Sequence, residues 1–265
     1  MKLVTAGERL YFLIRDEVIH SIGERNARWH QAQAYFDALD EGSAFTAYIK
    51  GTVAVRATRQ LLRYWKSKRD EVGDETQYIR IISRFVREEM FPSIDVDLCW
   101  RLARNVEDAW RASDRAVKRS HRRAVLGRGK CRCFLCAALL DATAPKGSEE
   151  YPTLEHLWPA SMGGDTIEEN LLPACGECQR VTKDTLSWEW YNIHNLVLPA
   201  EPSREALDAV DKRTRYARHY FEALTSAEFG RLTLKQAFGR LGPMTSPPTY
   251  VRTDKPVTFF QLKTF

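Results

Sequence analysis

Several common features are missing from this 265-residue chain, and each absence narrows its class. No stretch approaches the roughly 18 consecutive apolar residues of a membrane-spanning helix. The opening Met1-Lys2-Leu3-Val4-Thr5-Ala6-Gly7-Glu8-Arg9 has no apolar run of the kind that leads a secreted chain. A cytoplasmic protein with no membrane contact is therefore the expectation. No internal repeat recurs, so a repeat array is excluded. Neither sign of charge dominates: Lys+Arg 40 against Asp+Glu 35 gives a net charge of +5 and a pI near 8.9. Such an excess carries meaning only where it clusters. Scattered cysteines are also lacking. Five of the six fall in tight groups, Cys131, Cys133 and Cys136, then Cys175 and Cys178, which favours metal ligation over a disulfide framework. The sixth, Cys99 in Asp97-Leu98-Cys99-Trp100, reads as a small buried hydrophobe.

What is present divides the chain by texture. Up to about residue 125, charged and apolar residues mix at helical spacing, as in Leu61, Leu62, Tyr64 and Trp65, and in Ile79, Ile81, Ile82, Phe85 and Val86. Breaks fall near Glu41-Gly42-Ser43, Gly73-Asp74 and Phe91-Pro92-Ser93, so four or five helices are expected, the last running from about Asp95 to Val125. From 126 to 199 short segments, Gly and Pro breaks and the cysteine pairs mark a metal-binding module. From 200 to 265 helical patterning returns over 205–230 and 232–241, and Val257 to Leu262 reads as a strand or a docked extended segment. The expected class is mainly α with a small α+β module.

The positive charge clusters at the end of the first region. Arg115, Lys118, Arg119, Arg122, Arg123, Arg128 and Lys130 follow one another with Asp114 the only local acid. Such a tract fits phosphate, since basic side chains displace counterions from a nucleic-acid backbone and give affinity that falls steeply with salt.

Each Cys-x-x-Cys, Cys133 with Cys136 and Cys175 with Cys178, can place two thiolates on one tetrahedral ion at about 2.3 Å, and four sulfurs close a structural zinc site. Cys131 competes with the first pair, but Cys133 with Cys136 has the better spacing, which leaves Cys131 a free thiol. Between the pairs lie Glu155 and His156. An imidazole titrates near neutral pH and can serve as a base, and an adjacent carboxylate can bind a divalent cation through oxygen. Adjacent strand residues point to opposite faces, so the two share a site only if the strand bends or ends there. The aromatic stretch Trp188, Trp190 and Tyr191 reads as core rather than as a base-stacking platform.

The run Leu154-Glu155-His156-Leu157-Trp158-Pro159, then Gly163-Gly164, Asn170-Leu171 and Cys175-Gly176-Glu177-Cys178, resembles the zinc-bearing branch of the HNH endonuclease family across about Cys131 to Lys183. The resemblance implies a zinc-stabilised ββα-metal core between a helical N-terminal domain and a helical C-terminal extension: a strand with Glu155 and His156, a second strand near Asn170 to Leu172, and a helix from about Cys175. It implies His156 as general base, Glu155 as ligand to a catalytic Mg²⁺ or other divalent cation, Asn170 as an orienting group, and Lys183 as a phosphate contact. One position departs from the pattern. Where the family commonly has His or Asn after the second cysteine pair, this chain has Gln179, whose amide oxygen can still meet a hard cation. Asn192, His194 and Asn195 are lower-ranked substitutes.

The expected activity is metal-dependent hydrolysis of DNA phosphodiesters, with nicking as the product of a single site. The alternatives are an RNA (tRNA) endonuclease and an inactive zinc-dependent binding or adaptor module. By the same resemblance the expected setting is bacterial antiphage defence of the Zorya or Septu type, with restriction and mobile-element nucleases as the other settings, and a regulatory protein partner is expected.

Overall fold

The computed structural model describes residues 1–37, 42–72, 74–113, 116–127, 129–182 and 212–244. Its contacts divide the chain into two compact units. The helical unit comprises Thr5–Arg115 and Trp158–Asp165, and the cysteine unit comprises Met1–Val4, Ala116–Leu157 and Thr166–Phe265.

Helix α1 (Ala6–Phe12) opens the helical unit and is fixed by a reciprocal cap: Thr5 Oγ1 accepts from the Glu8 amide at 3.0 Å, and the Thr5 amide donates to Glu8 Oε2 at 2.8 Å. The chain continues through a π-helical stretch, Leu13–Val18, into α2 (Ile19–Glu24), then α3 (Ala27–Asp37) and α4 (Gly42–Lys68). Helix α5 (Glu75–Phe85) starts where Asp74 Oδ1 accepts from the Gln77 amide, and α6 (Val96–Ser113) follows the Pro92 break. Leu10, Ile14, Leu61, Trp65, Ile82, Leu102 and Val106 are completely buried, the heptad-like apolar faces of these helices having closed on one another.

The last expected helix is two helices. Helix α6 stops at Ser113, Lys118 is extended, and a separate α7 spans Arg119–Leu126. From Ser113 to Ser120 only Ala116 and Val117 are apolar. Without an apolar face to bury, the spacing of charges alone does not sustain a helix.

In the cysteine unit, β1 (Lys130–Arg132) pairs antiparallel with β2 (Leu139–Asp141), Cys131 lying opposite Leu140. A second antiparallel pair joins β3 (Thr153–His156) to β4 (Leu171–Ala174), with Glu155 opposite Leu172 and His156 opposite Leu171. Helix α8 (Gly176–Thr182) follows β4 directly. Two longer helices complete the unit, α9 (Lys212–Gly230) and α10 (Leu234–Leu241), the latter capped by Thr233 and Gln236. The first residues return to this unit: the Lys2 amide donates to Leu232 O at 2.8 Å. The chain is thus mainly helical with a small strand-bearing module, and the expected strand at Val257 to Leu262 lies outside the described residues. Among the described residues no helix is long and apolar enough to cross a membrane.

Candidate functional site

The cysteine cluster is built by two tight chain reversals. Between β1 and β2 the Cys133 amide donates to Ala138 O, the Ala137 amide donates back to Cys133 O, and Ala137 takes a positive φ of 60°. This brings Cys133 and Cys136 to one side. Cys175 lies between β4 and α8, and Cys178 lies in the first turn of α8, its amide donating to Cys175 Sγ at 3.4 Å. The Phe134 amide bonds to Pro173 O at 2.9 Å and ties the first reversal to β4.

All four sulfurs lie within 4.8 Å of one another, and Cys136 Sγ stands 3.8 Å from Cys175 Sγ. Tetrahedral bonds of about 2.3 Å require sulfur–sulfur edges of about 3.8 Å. Among the described residues this is the one convergence of three or more His, Cys, Asp or Glu ligand atoms, and it fits a metal such as zinc. The thiols already share protons unequally. A hydrogen bond from Cys178 lowers the Cys133 thiol to about 4, and that same bond, together with burial, holds the Cys178 proton in place. Lys212 on α9 adds a cation beside α8, its Nζ donating to Glu177 Oε1 at 2.7 Å.

Cys131 stands outside the cluster. It packs against Leu126, Leu154 and Leu171, and burial pushes its thiol up. Cys99 is 1% exposed and its S–H points to Ser83 O at 3.5 Å.

The acid and the imidazole leave β3 in different directions. Strand alternation puts Leu154 on the face packed with Leu126 and Leu171, and Glu155 on the opposite face. Glu155 is 7% exposed, and its Oε1 accepts from the hydroxyl of fully buried Thr182 at 2.7 Å. One turn earlier on α8, Gln179 Nε2 reaches Leu154 O at 3.5 Å, so Gln179 and Thr182 present one helix face to β3. His156 is the last residue of its strand, and its Nε2 lies 3.0 Å from Thr166 Oγ1. Asn170 is buried, and its carbonyl accepts from the Leu157 amide at 2.9 Å, extending the β3–β4 pairing past His156.

Helix α9 supplies a buried wall that the sequence did not announce. Tyr220 donates its hydroxyl to Leu157 O at 2.8 Å, immediately after His156. Burial, and then the charge of Glu155, holds the Tyr216 hydroxyl firmly protonated. Their i, i+4 spacing is visible in the sequence, but nothing there indicates which strand they meet. Thr182, three residues beyond Gln179, is open to inference from helical periodicity; Thr166 carries no such signal.

In the basic tract, Lys118, Arg119, Arg123 and Lys130 are exposed. Arg122 is half-buried: its guanidinium donates to Pro152 O at 2.8 Å and lies over the Tyr151 ring. Arg115, Arg128 and Lys183, together with Trp188, Trp190, Tyr191, Asn192, His194 and Asn195, lie outside the described residues.

Fold and site together define a mainly helical protein carrying a small cysteine-rich strand module able to hold a metal such as zinc. The chain matches no protein-family model, no curated protein and no solved structure.

Proposed function

We propose that this chain is a zinc-stabilised endonuclease of the HNH kind, with His156 as general base and DNA as substrate. The observation that carries the reading is the order of parts around β3: an acid and an imidazole at the end of a hairpin strand, followed by a helix whose first turn belongs to a four-thiol cluster. A closed Cys₄ set leaves no open coordination position, so the zinc serves the fold and the chemistry falls to the side chains between the cysteine pairs.

Phosphodiester hydrolysis needs a deprotonated water and an aligned phosphate. His156 takes the water proton. The 3.0 Å hydrogen bond between Nε2 and Thr166 Oγ1 fixes the plane of the ring. Glu155, bonded to Thr182, and Gln179, whose amide reaches Leu154 O, both lie at the β3–α8 packing and carry hard oxygen donors, a carboxylate and an amide carbonyl, of the kind that suits a divalent cation such as Mg²⁺. When bound, that cation supplies positive charge to the phosphate oxygens. Thr182 holds the Glu155 carboxylate toward α8, and the buried Tyr216 hydroxyl feels its charge. The exposed Lys118, Arg119, Arg123 and Lys130 supply backbone affinity for the nucleic acid.

The test incubates wild-type and His156→Ala proteins, purified without chelator, with supercoiled plasmid and with RNA across Mg²⁺, Mn²⁺ and Ni²⁺. Open-circular plasmid is expected from wild type, with a loss of about 10²–10⁴-fold in the variant. Equal activity in both proteins overturns the assignment. Cleavage of RNA alone moves the substrate to RNA, and zinc binding without cleavage of either leaves a binding module.

A further inference from the structure

A divalent ion on four deprotonated cysteines carries a net charge of −2. Three of these ligands, Cys133, Cys175 and Cys178, are buried, and Glu177 lies between the last two and adds a further negative charge. Buried excess charge is costly unless donors or cations compensate it. The chain reversals supply donors from their backbone: the amides of Cys136, Cys175 and Leu135 bond to the Cys133 sulfur, the Ala138 amide to Cys136, and the Cys178 amide to Cys175 at 3.4 Å. Amides are dipoles, and they leave the net charge unchanged.

Lys212 brings a full positive charge. It opens α9, 35 residues beyond Glu177, and its Nζ donates to Glu177 Oε1 at 2.7 Å and to the Cys178 sulfur. The two charged side chains differ in depth: Glu177 is 67% exposed and Lys212 only 22%. An exposed ion pair with Glu177 would not by itself draw an ammonium inward, because such pairs contribute little. Burial disfavours the ammonium, but Glu177 and Cys178 together outweigh it and hold the Lys212 pKa above its ordinary value. Arg180, the neighbouring cation on α8, is exposed and acts on Glu177.

We propose that Lys212 is the counter-charge of the thiol centre: through Cys178 its ammonium offsets the excess negative charge of the metal-bound cysteines, tightens metal binding and shields that sulfur from electrophiles. An ammonium has no lone pair, so Lys212 acts on the ion through a ligand and does not bind it. The proposal rests on the reading of the four thiols as a metal site, and its measurement is independent of any cleavage.

The experiment uses the full chain as wild type, Lys212→Met, Lys212→Gln, Lys212→Arg and Glu177→Gln. It reads zinc affinity by competition with a chromophoric chelator, and, at saturating Zn²⁺, the rate at which iodoacetamide alkylates Cys178, followed by peptide mass. Lys212→Met keeps the length of the side chain and removes its charge; zinc affinity is expected to fall about 10–100-fold, as when an outer partner of a metal ligand is lost, and Cys178 to react faster. Lys212→Arg keeps the charge and restores both readings. Glu177→Gln breaks the ion pair but leaves the cation in place, so zinc is held as tightly as in wild type or more tightly.

Wild-type affinity in Lys212→Met overturns the proposal. An equal loss in Glu177→Gln overturns it too, because the effect would then belong to the ion pair. If Lys212→Met does not fold, Lys212→Gln decides by the same reading, and wild-type affinity there overturns the counter-charge. A wild-type chain that binds no zinc removes the four-thiol site itself, whereas zinc bound equally by wild type and Lys212→Met removes only the role of Lys212.

Discussion

Thr182 and Glu155, 27 residues apart, meet in a buried hydrogen bond of 2.7 Å between the Thr182 hydroxyl and Glu155 Oε1. A carboxylate this deep needs a donor, because an unpaired buried charge is far costlier than a paired one. Thr182→Val is isosteric and removes only the donor. A loss of about 1.5–3 kcal/mol is expected in urea unfolding, the usual worth of a hydrogen bond to a charged group, with Thr182→Ser nearer wild type. An unchanged midpoint in the Val variant would show that Glu155 does not depend on Thr182.

Removing a metal held by the four thiols should unfold the cysteine unit. Its strands are three or four residues long, and the four thiols hold both hairpins together. Metal analysis should find about one zinc per chain, and Cys175→Ser or a strong chelator should abolish ordered signals from this unit, since structural zinc supplies on the order of 10 kcal/mol of folding free energy. Cys131→Ser should retain the metal, because Cys131 packs in the apolar cluster instead. Retention of zinc and structure in Cys175→Ser would rule out the four-thiol site.

His219 makes stability depend on pH. Burial lowers its pKa to about 4, against a smaller upward pull from a Gly242 backbone hydrogen bond, and Nε2 has no hydrogen-bond partner among the described residues. Its folded pKa lies below the unfolded value near 6.5, so above pH 6.5 the ring is neutral in both states and the fold keeps its full stability. Between about 6.5 and 4 the unfolded chain binds the extra proton, and stability falls as pH falls, by about 3 kcal/mol in total. His219→Phe should flatten this slope in unfolding measured across the window. A slope equal to wild type would mean that another group titrates there.

The basic residues should separate into two kinds. Replacing exposed Lys118, Arg119, Arg123 or Lys130 by Gln should weaken nucleic-acid binding regardless of sequence, and should reduce the slope of log K against log salt by about 0.9 for each phosphate that is no longer neutralised. Arg122→Gln should also lower stability, because its guanidinium is bonded to Pro152 O just ahead of β3. Salt titrations paired with thermal melts distinguish the two; a drop in stability in all five variants would remove the distinction.

How far the sequence could be read depended on the range of each interaction. The cysteine pairs announced themselves because the spacing of Cys133 with Cys136 and of Cys175 with Cys178 is local, and each pair needs only one chain reversal to face a common ion. The helices around Leu61, Trp65 and Ile82 were legible for the same reason, their apolar faces repeating within a few residues. The break between α6 and α7 was obscured by a charge run that resembles a solvated helix yet offers nothing to bury.

By itself, then, the sequence determined the mainly helical class, the small strand-bearing segment and the four cysteines able to hold a metal, all properties of residues near one another along the chain. Only the tertiary structure decided that Glu155 would meet Thr182, that His156 would meet Thr166, that Tyr220 of α9 would bond to Leu157, and that Gly7 would close on the loop at Gly163. Such contacts arise when packed helices and hairpins choose among many side chains of similar chemistry. Shape complementarity makes that choice, and it leaves no periodic trace in the order of residues.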